Sequence, residues 1–175
     1  MKISAQDLLF IDFEGSSLSH MTWPIEVGVA WIDEGGEARG WSSLIRPDPA
    51  WTQNDWSAAS QRVHNIPRSA LDDAPPAHEV ARDLLRRMEG RRAVSDAPGF
   101  DARWLRRLLI TAGIRPAPPI VDFDAVAFSL FEGLELDRLY EKLEHIPRPH
   151  RAGPDSLRMA RAIAHVLPGP APELC

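Results

Sequence analysis

The sequence is short of cysteine, of lysine and of long apolar runs, and each shortage excludes something. Its one cysteine, Cys175, is the last of 175 residues, so there is no disulfide framework and no cysteine-based metal site. That usage suits a reducing compartment, and a cytoplasmic location is the expectation. No stretch approaches the length of a membrane span, and residues 1–6 lead into the first apolar segment without the basic-then-apolar pattern of a secretory leader. No membrane partner is expected. Lys2 and Lys142 are the only lysines, so positive charge is carried almost entirely by arginine, the better residue for bidentate contact with phosphate. The formal net charge of −5 argues against wholesale electrostatic capture of nucleic acid, though not against a local basic rim around an acidic centre.

What is present suits one globular domain: 44% hydrophobic residues against 26% charged. That domain is expected over residues 1–167, followed by a proline-rich tail, 168–175. LLFIDFEGSS, residues 8–17, opens as a buried strand. Residues 25–33 and 37–47 read as two more strands, and the turn at Gly35-Gly36 makes them an antiparallel pair. A short helix is expected over 57–64, with Ser57 as its N-cap and Asn65 as a left-handed exit. The spacing of Val80, Leu84, Leu85 and Met88 predicts an amphipathic helix over 77–88. A strand at 93–97, a strongly periodic helix over 100–112 and a strand at 120–123 follow. Helical segments are then expected at 124–131, 134–143 and 155–166. Antiparallel strands followed by strand–helix alternation define an α/β fold, with a mixed five-stranded sheet flanked by helices. Trp23, Trp51 and Trp56 lie in irregular stretches, where an indole either stacks on a base or covers the edge of a core.

Asp12 and Glu14 stand two apart on the first strand, so their carboxylates share a face. Two such charges near a sheet centre repel and are costly to desolvate, and a divalent cation between them is the simplest relief; the other reading is a strand end entering solvent. Asp101 lies in SDAPGFDARWL at the start of a helix, and His150 and Asp155 lie in HRAGPDSLRMA at the entry to the last one. Taken singly, Asp101 serves equally as an acid at a helix N-terminus, Asp155 as a helix-start residue and His150 as a solvated loop histidine. Together they point to one shared cause, a Mg²⁺ or Mn²⁺ site of carboxylate oxygens. Two such ions roughly 3.5–4 Å apart suit phosphodiester hydrolysis, and a neutral histidine beside them can take a proton from water. Arg148 and Arg151 flank His150 and are candidates for phosphate contact at the mouth of the site.

These segments resemble the DEDDh family of 3′→5′ exonucleases. IDFEGSS is similar to the family's first motif, GFDARWL to its second and HRAGPD, with its His-x4-Asp spacing, to its third. VHNIPRSALDDAP resembles a segment that members usually write as His-Gly-Ile. The likeness runs from about residue 6 to residue 166. Two departures stand out. Gly15 replaces the usual threonine, and the longer SDAPGFD leaves Asp96 competing with Asp101, which is preferred because it follows Phe100 at the helix start. The resemblance implies a ribonuclease H-like fold in which Asp12, Glu14, Asp101 and Asp155 hold two divalent ions and His150 is the general base. It implies that the backbone around Gly15, Ser16, Ser17 and Leu18 meets the terminal nucleotide, with Leu18 or Met21 as an apolar surface for its base. The implied reaction releases nucleoside 5′-monophosphates from the 3′ ends of single-stranded RNA or DNA, and a homodimer is an allowed assembly. A non-catalytic nucleic-acid-binding or complex-docking module on the same fold is the alternative, against which the intact set of four acids and a histidine speaks.

Overall fold

In the computed structural model, which describes residues 4–167, five strands form one sheet. They are β1 (Leu8–Gly15), β2 (Pro24–Ile32), β3 (Ala38–Leu44), β4 (Arg92–Ser95) and β5 (Ile120–Asp122). The helices are α1 (Ala58–His64), α2 (Ala77–Met88), α3 (Pro98–Thr111), α4 (Phe123–Leu130), α5 (Leu134–His145) and α6 (Ala152–Val166). The spatial order is β3-β2-β1-β4-β5. β2 runs antiparallel to both its neighbours, while β4 is parallel to β1 and to β5. The mixed five-stranded sheet expected from the sequence is therefore present. The expected tail at 168–175 lies outside the described residues.

Alternation along β1 sorts the core into two layers. Leu9, Ile11 and Phe13 face a cluster built with α2 and α3, among them Val80, Leu84, Leu105 and Leu108. Leu8 and Phe10 face the opposite cluster, with Phe123, Leu139, Met159 and Ile163 from α4, α5 and α6. Leu8 to Ile11 are wholly buried, as befits a central strand covered on both sides. Each such large apolar side chain contributes about 1.5–3 kcal/mol. Ser57 caps α1 by accepting from the Ser60 N–H, and Asn65 leaves it at φ 56°, both as expected.

Two helices begin two or more residues earlier than the sequence suggests. α3 starts at Pro98, and α6 starts at Ala152 instead of Asp155. A proline anywhere in a first turn forfeits no intrahelical bond, because those N–H groups have no acceptor in the helix. Pro154 therefore sits inside α6, and the Asp155 N–H already reaches the Arg151 carbonyl at 2.9 Å. The early start depends on Gly28, which lies opposite Asp12 in the β1–β2 register. A Cβ on Gly28 would overlap the Ala152 backbone, so the first turn of α6 rests directly on β2.

The tryptophans resolve in favour of the core. Trp23 is fully buried, stacks on Trp51 with ring centroids 5.9 Å apart and meets Trp56 at 5.8 Å. Trp23, covered by Trp51, Trp56 and Arg68, presents no ring face to a base. Among the described residues no helix is long and apolar enough to cross a membrane.

Candidate active site

Asp12 and Glu14 continue the Leu8–Phe10 face of β1 to the point where α6 begins. There they meet Asp155, and one carboxylate oxygen from each of the three lies within 4.8 Å of the other two. Asp12 and Asp155 are buried and Glu14 is half-buried. Burial pushes Asp12 well above the usual carboxylate range, and the charges of Asp101 and Glu14 push it further. Burial, then Glu26 and Asp155, raise Glu14 to about 8. Asp155 is also raised, chiefly by burial. Its Oδ2 accepts from the Arg151 N–H at 3.2 Å, while its buried Oδ1 has no hydrogen-bond partner among the described residues. A buried oxygen without a donor, in a trio of hard oxygen ligands that repel one another, fits Mg²⁺ or Mn²⁺.

Asp101 stands beside this trio, on the side of Asp12 reached from α3. It is 1% exposed, accepts from the Ser95 hydroxyl and receives the Phe13 backbone amide. Burial raises it to about 7 in spite of those donors. Asp96, its competitor, is instead paired with Arg148 at 2.9 Å, with its charge felt at both Asp12 and Asp101.

His150 is exposed and its backbone lies in the left-handed region at φ 54°, costly for a residue with a Cβ. It is near enough to Asp155 for a charge on its ring to favour the Asp155 carboxylate. Two anchored arginines hold the segment. Arg148 grips Asp96, and Arg151 donates to Glu26 through Nε at 2.9 Å and through its terminal nitrogen at 2.7 Å. The fork of Arg151 that could grip a phosphate is thus filled by Glu26. Glu26 also accepts from the Ala152 N–H at 2.9 Å, which ties β2 to the start of α6. Glu26 carries no sequence signal beyond being one acid within the apolar run PIEVGVA. His64, in the segment likened to His-Gly-Ile, is buried, and its Nδ1 accepts from the Ile66 N–H at 3.0 Å.

The loop after β1 is tied from within. The Ser16 N–H donates to the Trp23 carbonyl and its hydroxyl accepts from the Trp23 N–H, while Ser17 and Ser19 hydroxyls both donate to Asp55 at 2.8 Å. Ser16 and Ser17 are accordingly buried, whereas Leu18 and Met21 project with 70% and 50% of their surface exposed. Gly15 has a physical explanation. A Cβ there would come within 2.7 Å of Trp104 Cε2, and the indole cannot swing away, since its Nε1–H donates to Thr22 Oγ1 at 3.1 Å.

The exonuclease family model of the ribonuclease T type matches residues 9–163. The chain belongs to that family, among the DEDDh-type 3′→5′ exonucleases, and its fold is ribonuclease H-like. It is similar to a full-length 3′-exonuclease at 18% identity over 93% of this chain and 82% of the other, with a TM-score of 0.64. It is similar to S. pombe Pop2p in its Mg²⁺- and Mn²⁺-bound form at 16% identity, over 91% of this chain and 82% of that one, TM-score 0.63. Exonuclease X in complex with 5′-overhanging duplex DNA aligns at 22% identity over 91% of this chain and 90% of its own, TM-score 0.58. No curated protein matches the chain by sequence.

Proposed function

We propose that the chain is a divalent-metal-dependent 3′→5′ exonuclease that shortens single-stranded RNA or DNA and releases nucleoside 5′-monophosphates. The observation that carries this reading is the convergence of Asp12, Glu14 and Asp155 with the Asp155 Oδ1 left buried and unpartnered. These three, with Asp101 beside Asp12, are the residues that would hold Mg²⁺ or Mn²⁺. When bound, two such ions supply positive charge to the attacking and leaving oxygens of a phosphodiester. Pop2p, bound to both metals, and Exonuclease X, bound to DNA, support the same assignment on this fold.

His150 takes the proton of the attacking water and, being exposed, passes it to solvent. It sits between the pinned Arg148 and Arg151, near enough to Asp155 for their charges to interact, with no hydrogen bond to the trio among the described residues. Leu18 and Met21 present the apolar surface on which the terminal base rests, and the hydrogen bonds from Ser17 and Ser19 to Asp55 hold that loop in place.

Purified protein with Mg²⁺ or Mn²⁺ is expected to shorten a 5′-labelled oligonucleotide one residue at a time. Absence of shortening on both RNA and DNA, with either metal, overturns the reading. Salt-dependent binding that ignores chelation, without cleavage, would mark a binding module instead.

A further inference from the structure

Along α3, away from Asp101, lies a groove of about 620 Å³ between that helix and residues 48–52. Met21, Trp51 and Ile110 give it apolar wall. Arg103, Arg106 and Arg107 line it too, at the i, i+3, i+4 spacing that places side chains on one helix face. Arg103 donates to the Ser19 carbonyl at 3.3 Å and Arg107 to the Met21 carbonyl at 2.6 Å. Those acceptors are neutral, so neither charge is cancelled. Arg106 is exposed, and among the described residues the one carboxylate lining the groove, Asp48, is turned to the Ala50 N–H.

We propose that this groove carries the phosphodiester backbone of the strand upstream of its 3′-terminal nucleotide, which makes the substrate a chain of several nucleotides. The proposal rests on the function given above and adds its substrate class. Three uncancelled guanidiniums in a chain of net charge −5 are a local positive patch of the kind that tracks phosphates. From Arg103 to Arg107 the helix rises about 6 Å, which spans one to two phosphates at roughly 3.4 Å each along a stacked strand. Met21 belongs both to the groove and to the surface proposed for the terminal base, so the two are continuous.

The test is fluorescence anisotropy of a labelled strand of about ten nucleotides in EDTA, where binding is read without cleavage. Arg106→Ala is expected to weaken binding about tenfold and to lower the slope of log affinity against log salt by about 0.7, the share of one phosphate on a single strand. Arg106→Lys keeps most of that slope. In turnover with metal, the preference of the wild type for the longer strand over a dinucleotide shrinks in Arg106→Ala. Affinity and slope unmoved by Arg106→Ala overturn the groove, as does an equal loss on dinucleotide and long strand, or displacement of the strand by low concentrations of a polyglutamate peptide. Arg106-dependent binding without any cleavage overturns the catalytic reading and leaves the groove standing; cleavage with Arg106-independent binding does the reverse.

Discussion

Glu26 and Arg151 meet through two parallel hydrogen bonds, with the carboxylate buried and the guanidinium 40% exposed. Glu26 is also the cross-strand partner of Glu14, so this ion pair sits directly beside the carboxylate trio. It anchors the residue after His150, and its Glu26 charge adds to the repulsion on Glu14 while Arg151 offsets a smaller part of it.

Glu26→Gln separates these two effects. With the Glu26 charge gone and Arg151 still near, Glu14 ionises at lower pH, so metal uptake extends to lower pH. The His150 segment loosens at the same time, and kcat is expected to fall about tenfold while unfolding in urea costs about 1–2 kcal/mol less. Isothermal titration with Mn²⁺, kcat and urea melts read the three effects; an unchanged kcat refutes the anchoring role.

Without metal the fold is destabilised by alkali. Asp12, Glu14, Asp101 and Asp155 all have folded-state pKa values above their unfolded ones, Glu14 at about 8 and Asp101 at about 7. The unfolded chain therefore releases these protons first, and stability falls as pH rises from about 4 to about 8. Asp33, lowered by its hydrogen bond from Arg39, titrates below that window, and His64, lowered by burial, works the other way only up to about pH 6.5, one group against four. Thermal melts in EDTA should give a lower Tm at about pH 8.5 than at about pH 5, and Mn²⁺ should raise Tm most at the higher pH, where its ligands are ionised. A Tm in EDTA that does not fall across this range contradicts the assignment.

Asp12→Asn removes one repelling charge from the trio while keeping the side chain's shape. The chelated protein should melt a few degrees higher than wild type, roughly 1 kcal/mol or more in its favour. Cleavage and the metal-induced rise in Tm should both disappear. A variant less stable than wild type in EDTA would show that the trio is not under electrostatic strain.

Replacing His150 distinguishes backbone cost from chemistry. Both His150→Ala and His150→Gly should lower kcat by about 10²–10⁴ and leave the metal-induced Tm rise in place. Only the glycine variant relieves φ 54°, so it alone should gain about 1 kcal/mol of stability. Loss of metal binding in either variant would make His150 a ligand.

Gly15→Thr restores the residue common in the resembled family and forces a Cβ into Trp104. The expected cost is about 1–3 kcal/mol, with partial recovery in the double variant Gly15→Thr/Trp104→Leu. Equal destabilisation of single and double variants in urea melts would show that the indole is not what excludes a side chain at position 15.

Much of the site was legible because its signals are local. Asp12 and Glu14 follow from the two-residue period of a strand, whereas His150 and Asp155 were singled out by a His-x4-Asp spacing that resembles the family's third motif. The mixed five-stranded sheet followed from the alternation of hairpin and helical patterns. What stayed hidden depends on contacts between distant segments. Glu26 reads as an oddity in an apolar strand until α6 is laid across β2, and Trp104 reads as an ordinary core residue until Gly15 is found beneath it. Arg148 and Arg151 looked like free cations because sequence does not show that Asp96 and Glu26 face them. The start of α6 was misplaced for a related reason, since Pro154 marks the first turn but not which position within it.

Gly28 has one more consequence. Because main chain touches main chain where α6 crosses β2, no deformable side-chain layer separates Asp155 from the strand pair bearing Asp12 and Glu14. The aperture of the carboxylate trio is gauged by covalent geometry, and repacking elsewhere in the core has little leverage on it. Such a stiff aperture suits a small ion with fixed ligand distances of about 2.0–2.1 Å better than a larger, more tolerant one such as Ca²⁺.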